Sequence, residues 1–292
     1  MTFRKSYFSS IFLMIRASFA FSVMALCVKL SSPGIPSMEI VFVRSILSVA
    51  LLIYLIRRRG LSLWGHHRTQ LLARGISGFL ALSLHFYTIG RLPLGTAVLL
   101  NYTAPLFVVI LSWFFLKEAV RLDLLAVVFI CFGGVYMLLA GQTGGWTIDA
   151  FWGLLSAVFA AVAYITISTI RNRESPLTII FYFTLVSSLG SLPFLFLEFR
   201  TPSALQLLYL LGVGAGAFLG QYWMTRALLK APASLVSPFS YLTPLFSFLY
   251  GVALWGEKLS ASSVLGMVLI LGGGCLLSVW GAREKKLDAV SE

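Results

Sequence analysis

Three side chains in this sequence stand where charge is hardest to keep. Arg16, Arg44 and His85 each lie inside a long apolar run, and an ionisable group deep in lipid is costly enough to mark a functional candidate. Arg16 falls about eight residues into the first run and Arg44 about seven into the second, roughly 10–12 Å from the nearest boundary at 1.5 Å per residue. An arginine at that depth presents a planar fork of donors that grips a carboxylate or phosphate. Each has a structural alternative. Arg16 can snorkel to the head groups on its long stem, and Arg44 can bond carbonyls of a neighbouring helix. Glu39 is a poor intrahelical partner for Arg44, because a five-residue separation turns it about 140° around the helix. The glutamates Glu39, Glu118, Glu174, Glu198 and Glu257 fall at run ends or between runs, as do the aspartates. The embedded charge is therefore positive, which favours an anionic or zwitterionic ligand over a cation.

A second set is polar and aromatic. His85 shares a helical stripe with Gly78, Ala81 and Leu82. It reads either as a satisfied core histidine or as a cavity group that takes up and releases protons. Asn101, Tyr102, Thr103, Ser240, Tyr241 and Thr243 flank Pro105 and Pro244, two prolines inside apolar runs. A proline there removes a backbone donor and favours a kink, so this pair forms a candidate hinge whose neighbours line a cavity or satisfy freed carbonyls. Tyr164 and Tyr222 are further aromatic candidates for that cavity, with interface anchoring as their ordinary role.

The elements that must position these groups follow from composition. With 59% hydrophobic and 11% charged residues, against roughly a quarter charged in soluble domains, the solvent of this chain is lipid. A spanning helix needs ~20 mostly apolar residues. Ten runs qualify, at about 8–29, 37–56, 70–90, 94–116, 122–140, 151–170, 177–197, 204–228, 234–255 and 261–280. The expected fold is an all-α bundle of ten transmembrane helices. Cys27, Cys131 and Cys275 sit inside apolar runs without metal or disulfide spacing, so neither a metal site nor a cofactor is expected.

The chain also repeats itself. Asn101-Tyr102-Thr103-Ala104-Pro105-Leu106-Phe107 and Ser240-Tyr241-Leu242-Thr243-Pro244-Leu245-Phe246 are 139 residues apart, and the same offset pairs Glu118 with Glu257 and Gly133-Gly134 with Gly272-Gly273. It carries Leu82 onto Gln221 and His85 onto Met224, so each half offers one polar group, His85 or Gln221, on a matching face. Five runs per half is an odd number. The repeats, 1–142 and 143–292, are therefore expected to be inverted, as in many secondary transporters.

The net charge of +12 raises nucleic acid as a partner, but its placement answers otherwise. With the amino terminus in the cytoplasm, sixteen cations fall on inside stretches and adjoining run ends and four on the outside ones. That asymmetry is the positive-inside signal. It predicts a multi-pass protein of the cytoplasmic (inner) membrane with both termini cytoplasmic, and no nucleic-acid partner.

The stretch from Arg74 to Leu139 resembles the repeat unit of the drug/metabolite transporter superfamily, its EamA domain. The likeness rests on Arg74-Gly75, Phe86-Tyr87, Arg91-Leu92-Pro93-Leu94-Gly95, Tyr102, Pro105-Leu106-Phe107, Glu118 and Gly133-Gly134. The second half repeats it more loosely in Gly214, Lys230 to Ser234, Tyr241, Pro244-Leu245-Phe246, Glu257 and Gly272-Gly273. The resemblance implies ten helices, a central cavity between the halves and transport of a small organic molecule, with efflux favoured. The leading expectation is an amino acid or other carboxylate-bearing metabolite moved by alternating access. The alternative is uptake or exchange of a larger metabolite, such as a nucleoside-containing cofactor or vitamin. Oligomeric state stays open, a homodimer included. An enzyme would need a nucleophile with its base, a metal cluster or paired carboxylates, and the sequence pattern offers none. The candidate substrate-binding set is Arg16, Arg44, His85, Asn101, Tyr102, Tyr164, Gln221, Tyr222, Ser240 and Tyr241.

Overall fold

The computed structural model describes residues 2–116, 122–170, 173–230 and 237–291. Among them every regular element is helical: α1 (Thr2–Ser31), α2 (Ser37–Arg58), α3 (Arg68–Arg91), α4 (Leu94–Asn101), α5 (Ala104–Leu116), α6 (Leu122–Thr143), α7 (Ile148–Ile170), α8 (Pro176–Glu198), α9 (Ala204–Lys230), a 3-10 turn (Ser237–Tyr241), α10 (Leu242–Trp255) and α11 (Ala261–Ser291). Seven described segments are long and apolar enough to cross a membrane, one of them running through the junction of α4 and α5. The chain is a multi-pass membrane protein. Helix α3 is not among the seven because it carries Arg74, His85 and several glycines and serines. Its polar residues are affordable because α3 packs against α7 and α8, and Arg74, Ser77, Ser83 and His85 are all buried.

A shift of 139 residues carries α1 onto α7, α2 onto α8, and α6 onto the start of α11, and the packing follows the same rule. Helix α1 packs on α9 as α7 packs on α3; α3 meets α8 as α9 meets α2; and α5 meets α7 as α10 meets α1. Two pairs, α2 with α8 and α6 with α11, each join a helix to its own counterpart.

Small residues set the closest crossings. A Cβ at Gly134 would stand 2.9 Å from both the Gly266 carbonyl oxygen and the Leu269 Cβ, and one at Gly273 would strike the Cys131 sulfur. Gly133 and Gly272 face open space. In each matched glycine pair it is thus the second member that lets α6 and α11 touch. Where α3 meets α8, Gly75 admits Val186, and where α9 meets α2, its counterpart Gly214 admits Leu47, the counterpart of Val186.

The fourth run is broken where a proline kink was expected, but the geometry differs. Helix α4 stops at Asn101, a turn covers Tyr102 and Thr103, and Pro105 is the second residue of α5. Pro244 likewise sits in the first turn of α10, after the 3-10 turn. The sequence reading placed both prolines inside continuous helices. They instead open new ones, where their missing donors would have no intrahelical acceptor. At the break the Leu100 carbonyl oxygen accepts both the Thr103 N–H (3.1 Å) and the Thr103 hydroxyl (2.6 Å).

Acidic residues tie the ends of the bundle. Helix α10 ends at Gly256, whose φ of 62° is the left-handed stop that glycine adopts freely. The chain thereby delivers Glu257, whose Oε1 accepts the Leu94 N–H at 3.0 Å and caps the start of α4. Its first-repeat counterpart, Glu118, lies outside the described residues. At one end of the α2–α8 pair, Glu39 Oε2 accepts the Arg200 N–H (3.1 Å) from the loop after α8. At the other, Glu174 Oε1, just before α8, accepts the His66 and His67 N–H groups (2.6 Å each) from the loop after α2. Each helix of the pair is strapped to the loop that follows its partner.

Candidate functional site

The α2–α8 crossing brings charge into the interior. Arg44, on α2, is 3% exposed, and its guanidinium carbon lies 5.1 Å from the centroid of the Phe183 ring on α8. Arg74, on α3, is 9% exposed and lies 4.7 Å from the same centroid. Gly78 makes room for this, since a Cβ there would strike both the Arg74 guanidinium and the Phe183 ring. The Nε and Nη1 of both arginines have no hydrogen-bond partner, so neither bonds a neighbouring helix through those atoms. The Phe183 ring offsets part of the charge, and those Nε and Nη1 donors stay unused.

Phe183 is the residue that the 139-residue shift assigns to Arg44. A residue and its counterpart meet each other only near the axis that relates two repeats, and Tyr102 and Tyr241 do the same, with ring centroids 6.1 Å apart. The side chains of Tyr102 and Thr243 are hydrogen-bonded, and Thr243 donates to the Ser18 carbonyl oxygen (3.3 Å). Tyr164, on α7, links the two pairs. It lies within electrostatic reach of Arg74, Tyr102 and Tyr241, yet 51% of its surface is accessible.

The other candidates sit elsewhere. Arg16 is exposed and lies over the rings of Phe12 (4.8 Å) and Trp223 (5.5 Å), apart from Arg44. His85 is 8% exposed, with no partner on Nδ1. It stands eleven residues beyond Arg74 on one helix, about 16 Å along its axis. Asn101 donates to the Ser156 hydroxyl on α7 at 3.0 Å, a structural tie beside the α4 break. Gln221 is half-buried on α9, which packs on α1 and α2 instead of α3. Tyr222 stacks on Phe218 and accepts from Arg226 Nη1 (3.1 Å). Ser240 is half-buried in the 3-10 turn. An apolar recess of about 270 Å³ beside that turn, lined by Pro238, Phe239, Leu242, Leu271 and Cys275, contains no charged side chain.

Sequence reasoning missed Arg74 and Phe183 as site residues. Arg74 is the seventh residue of α3 and read as a cation at a run end. Its signal was Gly78 four residues on, one turn along the same face. Phe183 had a plainer signal, the repeat offset applied to Arg44. Among the described residues no cluster of histidine, cysteine and acidic side chains could hold a metal ion.

Comparison with known proteins matches these features to a family. The profile of the EamA-like transporter family matches residues 8–140 and again 147–279, two stretches offset by 139 residues like the packing itself. The chain belongs to the EamA-like transporter family. It is 34% identical over 280 residues to the pseudopaline exporter CntI of Pseudomonas aeruginosa, covering 95% of this chain and 97% of that one. It is 26% identical over 198 residues to an S-adenosylmethionine uptake transporter of Rickettsia felis, covering 68% and 67%. A solved crystal structure superposes with a TM-score of 0.66 at 21% identity, covering 94% of this chain and 98% of that one, a likeness of fold. This EamA-family chain is therefore a membrane transporter of a small metabolite.

Proposed function

We propose that the chain exports a carboxylate-bearing organic metabolite, such as an amino acid, across the cytoplasmic membrane by alternating access. One observation carries the reading: Arg44, buried with unused donors, touches its own counterpart Phe183. If the repeats 1–142 and 143–292 are inverted, their axis lies in the membrane plane, and the Arg44–Phe183 contact stands at the midplane, where a carrier holds its substrate. The paired exchange of packing partners supports a two-fold relation between the repeats. Tyr102, Tyr241 and the half-accessible Tyr164 form the rest of the proposed path, and the turn at Tyr102–Thr103 with its counterpart before α10 forms the hinge. The direction follows the exporter among the relatives.

Counterflow of labelled amino acids and nucleosides into liposomes holding the purified chain tests the reading. Exchange of carboxylate-bearing solutes that weakens at least tenfold on Arg44→Gln is the expected result. Exchange of nucleosides alone would favour the second reading, uptake of a nucleoside-containing metabolite, which the match to an S-adenosylmethionine uptake transporter supports. For the topology, single cysteines in 60–68, 173–175 and 284–290 should label from the cytoplasm, and those in 142–148 and 199–203 from outside. Labelling of 142–148 and 173–175 from one face would remove the inverted repeat.

A further inference from the structure

The site holds more positive charge than one carboxylate can answer. The Arg44 and Arg74 guanidinium carbons stand 5.1 and 4.7 Å from one ring centroid, near enough for their charges to repel, and both are buried with Nε and Nη1 unpaired. Like charges held together out of water are destabilising unless something neutralises them. The described glutamates at these helix ends each accept backbone N–H groups there: Glu39 from Arg200, Glu174 from His66 and His67, and Glu257 from Leu94. Phe183 fixes the arrangement, since both guanidiniums rest against its ring while their N–H edges remain free to fork onto planar anions.

We propose that Arg44, Arg74 and Phe183 form one binding site for a metabolite carrying two carboxylates, one for each guanidinium. A monoanion would neutralise one arginine and leave the other buried and unanswered. A ligand with two carboxylates answers both, and its spacer lies along the Phe183 ring. This inference rests on the carboxylate-carrier reading above and narrows it from one anionic group to two.

The test is binding to the purified full-length chain in nanodiscs, by calorimetry, of malonate, succinate and glutarate against the monoamide of each. At least one dicarboxylate should bind ten-fold or more tighter than its monoamide, by the loss of one charge-assisted pair. Arg44→Gln and Arg74→Gln should each bring that ratio close to one, with thermal unfolding of each variant confirming that it is folded. The wild-type comparison stands even if a variant fails to fold. Equal binding of dicarboxylates and monoamides overturns the two-anion site and leaves the carboxylate carrier intact. Absence of both binding and exchange for every carboxylate in the series overturns the two together.

Discussion

Two crossings in this bundle join a helix to its own counterpart, and they are built in opposite ways. Where α6 meets α11, both repeats keep the same device: Gly134 and Gly273 each remove a Cβ so that the helices touch. Where α2 meets α8, glycines of α3 and α9 still admit matching side chains, but the central position carries arginine in one repeat and phenylalanine in the other. Packing constrains both halves alike, so a device that serves packing survives in both. A substrate is not symmetric, and the residue that grips it has no reason to be doubled. Of these two crossings, the one whose device is shared serves packing, and the one whose pair differs carries a buried charge.

The comparison breaks most readily at the α6–α11 crossing. Gly134→Leu should abolish or severely reduce folded, monodisperse protein, because overpacking costs about 1–3 kcal/mol even where neighbours relax and here the obstacle is a backbone carbonyl. Gly133→Leu, facing open space, should leave the yield and melting temperature near wild type. Equal damage from the two would remove the scaffold reading. At the α2–α8 crossing the expected loss is in function. Arg44→Phe should weaken substrate affinity roughly ten- to hundred-fold, the worth of a charge-assisted hydrogen bond, while the double exchange Arg44→Phe with Phe183→Arg should recover a large part of it. A swap no better than the single variant would mean that the surroundings of position 44, and not its contact with position 183, define the site.

Much of this was legible in the sequence, and the repeat offset was the most productive signal. Shifted by that offset, α1 ends where α7 ends, and α2 falls within a residue of both ends of α8. Burial was harder to read. Arg74 looks like a boundary cation until α7 and α8 are seen to enclose α3, and Arg16 looks like a midplane charge until its helix is seen to turn it toward Phe12 and Trp223. Such facts concern which face of a helix meets another, and ten apolar runs with nearly uniform composition carry little information about facing. Proline position was legible and its effect was not, since the same residue kinks a continuous helix or opens a new one according to how the preceding turn closes.

The end straps sharpen the comparison with smaller effects. Burial pushes the Glu174 carboxyl up, but the His67 and His66 N–H groups and the His67 ring outweigh it and hold the group below its ordinary value of 4.5. A carboxyl depressed on folding stabilises the protein above that ordinary value and loses its contribution as pH falls through the lower folded one. Glu174→Gln should therefore lower the melting temperature at neutral pH, on the order of 2–4 °C for a loss near 1 kcal/mol, and the difference from wild type should shrink on acidification below about pH 4.5. A difference constant from pH 7 to pH 3 would assign the strap to packing. The smallest shift is expected from the prolines. Pro105→Ala and Pro244→Ala should each change stability by less than about 1 kcal/mol, as first-turn prolines lose no backbone bond. If the hinge is symmetric, they should move side-specific labelling of a cysteine at Ser240 in opposite directions.

The contact between Arg44 and Phe183 also bears on ancestry. In a dimer of two identical five-helix chains, any residue at this position would face its own copy across the symmetry axis. An arginine there would meet an arginine, and a phenylalanine a phenylalanine. One charge against one ring is open only to two halves that differ in sequence, so this pairing arose after the duplication.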